Sequence, residues 1–72
     1  MTTDELDRIF SYATLTENQR EITRRVFAGF HELAIVINGL CPESREKSLA
    51  LTSLQTALLW CDAAIAIHGK DL

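Results

Sequence analysis

Apolar residues recur at spacings of three and four along two long tracts of this chain, separated by Cys41-Pro42. In the first tract Ile22, Val26, Phe30, Leu33, Ile37 and Leu40 form the seam of an antiparallel helix pair, and Phe27, Ala34 and Val36 widen it. Thr16-Glu17-Asn18-Gln19 has the T-x-x-Q form of a capping box and predicts the start of that helix. Asn38-Gly39 weakens its end, and Cys41-Pro42 stops it because proline cannot continue the hydrogen-bond ladder. In the second tract Leu51, Leu54, Leu58, Cys61, Ile65 and His68 repeat the seam. Pro42 suits the first turn of this helix, Glu43 suits the positive end of its dipole, and Gly69 is its stop. Before both tracts, Thr2 and Glu5 have capping-box spacing for a short helix from about Thr3 to Phe10, with Leu6, Ile9 and Phe10 on one face. Ser11 to Leu15 reads as an irregular link that holds Tyr12. The short connection between the long helices makes them antiparallel. The predicted fold is all-α: a short N-terminal helix plus a long antiparallel helical hairpin, one domain over residues 1–72, with no internal repeat or linker.

The last helix carries a second apolar side: Ala50, Ala57, Trp60, Ala64 and Ile67. A hairpin partner covers one seam only. A monomer of this size buries only about 60% of the surface of its unfolded chain, so a second seam has nowhere to go within it. Small scaffolds of this kind are stabilised by disulfides, metals or association. Small residues let helices approach closely and a tryptophan anchors interfaces. The pattern therefore predicts a homo-oligomer assembled through the Trp60 face.

Charge and cysteine content narrow the functional classes. The net charge of −3 argues against bulk affinity for DNA, RNA or an anionic membrane, which needs a dense positive field. Cys41 and Cys61 have no metal-ligand spacing and follow no secretory signal, so they read as free thiols in a reducing compartment. Gln55 and Asp62 interrupt the longest apolar run, which predicts no membrane span and a soluble, cytoplasmic chain.

No catalytic residue, cofactor or metal site is expected. Neither His31, mid-helix beside Glu32, nor His68, in a last turn where a positive charge favours the dipole, pairs with a nucleophile. Glu17, Glu21 and Arg25 read as a solvated face with an ion pair, and the glycines form no phosphate loop. The constellation with more chemistry is Tyr12, Arg20, Arg24 and Arg25. Arg20 and Arg24 are one turn apart and repel, and an anion along that face would offset the repulsion through guanidinium–phosphate forks. Tyr12 just before the helix would stack on a base. The alternative is a solvated basic turn with a tyrosine plugging the hairpin.

Phe10-Ser11-Tyr12, the T-x-x-Q start, and the run Pro42, Ser44, Glu46, Ala50, Leu54, Ala57, Trp60, Ala63-Ala64-Ile65-Ala66 together resemble the phage anti-CBASS cyclic-oligonucleotide sponges, whose hairpin domain is shared with a phage anti-Thoeris sponge. The resemblance covers roughly Leu6 to Ile67. It implies a phage or prophage protein in a host bacterial cytoplasm, assembled as a homohexamer. It implies binding, without cleavage, of cyclic dinucleotides or trinucleotides such as cyclic GMP-AMP or cyclic tri-AMP, which keeps the downstream effector off. The family's base-stacking aromatic falls on Tyr12, in the same short motif as Phe10. Its basic phosphate contact falls on Phe27, so Arg24 or Arg25, with Arg20 nearby, would have to substitute. Relatives often carry Asn where this chain has Asp62, and Arg or Asn near Ile67. Two other classes stay open: a helical-hairpin module that binds a host protein through its apolar face, and a small enzyme with an arginine-lined pocket between subunits.

Overall fold

A computed structural model of the chain describes residues 1–9 and 15–71. Among these, the elements are α1 (Thr3–Ile9), α2 (Glu17–Leu40) and α3 (Arg45–His68), and there is no strand. The predicted end of the first helix at Phe10 and the link with Tyr12 lie outside the described residues. Helices α2 and α3 run antiparallel as a hairpin, and α1 lies against α3.

The caps form where the sequence places them, with one exception. The Thr16 hydroxyl accepts from Gln19 N–H at 3.1 Å, and Gln19 Oε1 accepts from Thr16 N–H at 2.8 Å, a complete capping box. Thr2 Oγ1 accepts from Glu5 N–H at 3.2 Å at the start of α1. Gly69 ends α3, its N–H donating to the Ile65 carbonyl. The exception is the start of α3. Pro42 is not in its first turn; the helix begins at Arg45, with Ser44 as the N-cap accepting from Lys47 N–H at 3.1 Å. A serine side chain offers the acceptor that the free N–H groups of a first turn need, which proline does not.

The seam is half-buried rather than dry. Ile22, Val26, Phe30, Ala34 and Ile37 of α2 face Leu51, Leu54, Leu58, Cys61 and Ile65 of α3. Ala34 takes the place expected for Leu33, which is exposed, as are Leu40 and His68 at the ends of the expected seams. A straight helix has 3.6 residues per turn, so a strict three-four repeat drifts off the contact line. Only Ile65 and Ala66 are buried among the described apolar residues. Two polar side chains are buried instead, one at each end of the hairpin. Near the turn, the Lys47 ammonium donates to the Asn38 carbonyl at 2.8 Å and to the Glu43 carboxylate. At the open end, Gln19 is fully buried and its Nε2 donates to the Ile65 carbonyl at 2.8 Å.

The molecule is long and thin, 46 × 27 × 15 Å, with a radius of gyration of 15.2 Å. A compact domain of this length has about 11 Å. Its accessible surface is 5605 Å², against about 4,500 Å² for a monomeric protein of its mass. The surplus of about 1,100 Å² includes the second apolar side of α3: Leu59 and Trp60 are exposed, Trp60 by 72%. By length and composition alone α3 would suffice to cross a membrane, contrary to the sequence expectation. Gln55 and Asp62 do interrupt its apolar run, but they do not offset the leucines and alanines around them. A helix apolar on both sides has the same composition whether lipid or protein covers it.

Candidate functional site

Helix α2 positions the basic turn. Gln19 points into the seam, and each residue rotates the helix by about 100°. Arg20, Arg24, Phe27 and His31 therefore fall within about 60° of one another on one flank of the seam, and Arg25 falls on the other. The structure bears out this division. Phe27 and His31 stack with ring centroids 5.8 Å apart and an interplanar angle of 11°. The pair opens onto a groove of about 180 Å³ whose other walls include Leu51, Leu54, Gln55 and Leu58 of α3. Arg25 lines a different groove, with Val26, Gly29, Phe30, Leu33 and Cys61.

Of the residues singled out in the sequence, Arg20, Arg24 and Phe27 thus share a face and Arg25 does not join them. Tyr12 and Phe10 lie outside the described residues. The expected ion pair forms and is shared: Glu21 lies 3.4 Å from Arg24 and 3.8 Å from Arg25. All three side chains are more than half exposed, so the contacts add little and leave both guanidiniums able to exchange Glu21 for a stronger anion. Phe27, at the register where a basic contact would be expected, presents a stacked ring beside an apolar wall and no charge. Aromatic pairs in this offset, near-parallel arrangement hold each other's faces in place.

Two features were not foreseen in the sequence. Gln19 was read as half of a capping box, and it also clasps α3. The buried Oδ1 of Asp62 has no hydrogen-bond partner among the described residues, an arrangement that native interiors rarely leave unmet. Cys41 and Cys61 are free thiols. Among the described residues no group of three or more His, Cys, Asp or Glu side chains is placed to hold a metal ion.

The comparisons with known proteins fit this architecture. A family model described as the Acb2/Tad1 hairpin domain matches residues 2–66, and no curated protein or solved structure matches the chain. That match spans α1, α2 and α3 as far as Ala66, with both polar ends of the hairpin. The family is a sponge-type domain and not an enzyme family. With the hairpin, its caps and nearly the whole length accounted for, the chain belongs to the Acb2/Tad1 hairpin-domain family of anti-CBASS and anti-Thoeris sponges.

Proposed function

We propose that this chain is a phage anti-defence protein that sequesters host cyclic dinucleotides or trinucleotides, without cleaving them, in the cytoplasm of the infected bacterium. The observation that carries the reading is an exposed cationic and aromatic flank on a sponge-family hairpin: Arg20, Arg24 and the stacked Phe27–His31 pair. Cyclic oligonucleotides present both bases and phosphates. A planar ring matches the first and a guanidinium fork the second. Tyr12 supplies the base stack and Arg24 the main phosphate contact, with Arg20 on the same flank.

A sponge acts by stoichiometry. Against a messenger at nanomolar to micromolar levels it needs a binding free energy of roughly −8 to −12 kcal/mol. A single exposed flank does not enclose a ligand enough for that, whereas two hairpins meeting around it do. The surplus surface of about 1,100 Å² exceeds the roughly 800 Å² per partner of a standard interface, which supports association through the exposed Trp60 face; the homohexamer rests on the family resemblance.

Native mass spectrometry with cyclic GMP-AMP, cyclic tri-AMP and related ligands tests the reading. An oligomer that takes up whole ligand at a fixed ratio to subunits is the expected result. Absence of uptake across the panel would sink it, and gradual loss of ligand mass would favour an enzyme instead. A hairpin that binds no nucleotide but floats with lipid vesicles would assign the apolar side of α3 to a membrane, an occupant its composition also suits.

A further inference from the structure

We propose that Gln19 is a positioning residue for ligand capture, because its carboxamide sets the rotation of α2 against α3 and so the direction of the Arg20–Arg24–Phe27–His31 flank. The inference rests on the sponge reading above.

The side chain has no exposed surface. Its Oε1 accepts from Thr16 N–H at 2.8 Å, which closes the cap of α2. Its Nε2 donates to the Ile65 carbonyl at 2.8 Å and lies 3.5 Å from the Ala66 carbonyl. Both carbonyls belong to the last turn of α3, where helix carbonyls run short of partners. Ile65 O already accepts from Gly69 N–H at 2.9 Å, so the carboxamide takes its remaining lone pair. One planar group thus ties the first turn of α2 to the last turn of α3, across 46 residues of sequence. The apolar contacts along the seam are half-buried and tolerate rotation; a directional bond between a fixed carboxamide and a helix-end carbonyl does not. Arg20 is the next residue, and Arg24 and Phe27 follow within two turns, so a rotation of the first turn of α2 swings the whole flank.

The chemistry demands glutamine. A carboxylate of the same shape still accepts from Thr16 N–H but faces two carbonyl oxygens with no proton to donate. Gln19→Glu therefore keeps the cap and breaks the clasp, and protonation of the introduced carboxyl restores a donor. The experiment is titration calorimetry of wild type and Gln19→Glu with cyclic GMP-AMP and cyclic tri-AMP from about pH 8 to about pH 5.5, with helicity followed in parallel. Asp62 and His68 on α3, Glu17 and Arg20 on α2, and Asp4, Glu5 and Asp7 on α1 are present in both proteins, so the ratio of their affinities removes their direct effect on binding and leaves the titration of the introduced carboxyl with its coupling to them. The expected result is a variant about tenfold or more weaker near pH 8, with helicity kept, whose deficit shrinks toward acid pH.

Equal affinities at every pH overturn the inference. So does a deficit that does not change with pH, which would mark a plain packing defect. A wild-type protein that binds neither ligand defeats the sponge reading itself, a separate outcome. If Gln19→Glu does not fold, the wild type still decides. Saturating ligand should slow exchange of the Gln19 side-chain amide protons at least about fivefold by reciprocity of coupling, and unchanged exchange overturns the inference.

Discussion

The Lys47 ammonium reaches back across the hairpin turn and donates to the carbonyl of Asn38, nine residues earlier, at 2.8 Å. Its side chain is 6% exposed, whereas that of its ion-pair partner Glu43 is 89% exposed. The carbonyl bond, and not the pair with Glu43, is therefore the structural contact. Lys47→Met should lower stability by about 1–3 kcal/mol in urea unfolding, since a part-buried bond from a charged donor to a carbonyl is lost. Glu43→Gln should stay within about 0.5 kcal/mol of wild type, as for most surface changes. Equal losses from the two would show that the ion pair holds the turn.

Trp60 should separate folding from association. In the single chain it is 72% exposed, so Trp60→Ala removes few intramolecular contacts. Helicity at high protein concentration should be retained while the assembled mass falls, read by sedimentation velocity. Retention of full mass would place the interface elsewhere.

The two flanks of α2 make opposite forecasts for neighbouring arginines. Arg24→Ala should weaken cyclic-oligonucleotide binding by about 1.5–3 kcal/mol, the range for hydrogen bonds to a charged group. Arg25→Ala, on the other flank, should change it by less than about 0.5 kcal/mol. Tyr12→Ala should lose about 1–3 kcal/mol, the usual worth of a base–aromatic stack. A larger loss from Arg25 than from Arg24 would reverse the assignment of the flank.

Gly29 sits mid-helix, and among the described residues a methyl group added there meets nothing within 4 Å. Alanine is favoured over glycine in a helix by about 1 kcal/mol, so Gly29→Ala should raise the stability of the hairpin. If another subunit or a ligand approaches that backbone closely, the same change should lower assembly or affinity. Thermal melts paired with native mass spectra separate the two effects.

The helices and most of their ends were legible because their signals are local. Thr16 and Gln19 are three residues apart, and Gly69 follows the last periodic position directly. The surplus side of α3 was legible for a similar reason, since Ala57, Trp60 and Ala64 repeat at helical spacing. What remained hidden were contacts between distant parts of the chain. Nothing near Gln19 in sequence announces a bond to Ile65, and Lys47 reads as an ordinary exposed lysine until the turn brings Asn38 to it. At the start of α3 the sequence reading rested on Pro42, whereas the cap that forms is the Ser44 hydroxyl, accepting from Lys47 N–H three residues on. The basic patch was legible as composition, and its direction follows from the same seam: Ile22, Val26, Phe30 and Ile37 mark the side of α2 that meets α3, and about 100° per residue then splits Arg24 from Arg25.

A chain that buries only Ile65 and Ala66 among its described apolar residues has little stability of its own to draw on. If neighbouring copies complete its core, dilution is a denaturant for it. Its melting temperature should then climb with the logarithm of protein concentration, and its capacity to soak up a messenger should switch on above a threshold of expression and not in proportion to it. A melting temperature independent of concentration over about a hundredfold range would show a hairpin that stands alone. When copies are few, such a protein would be absent in function before it is absent in number.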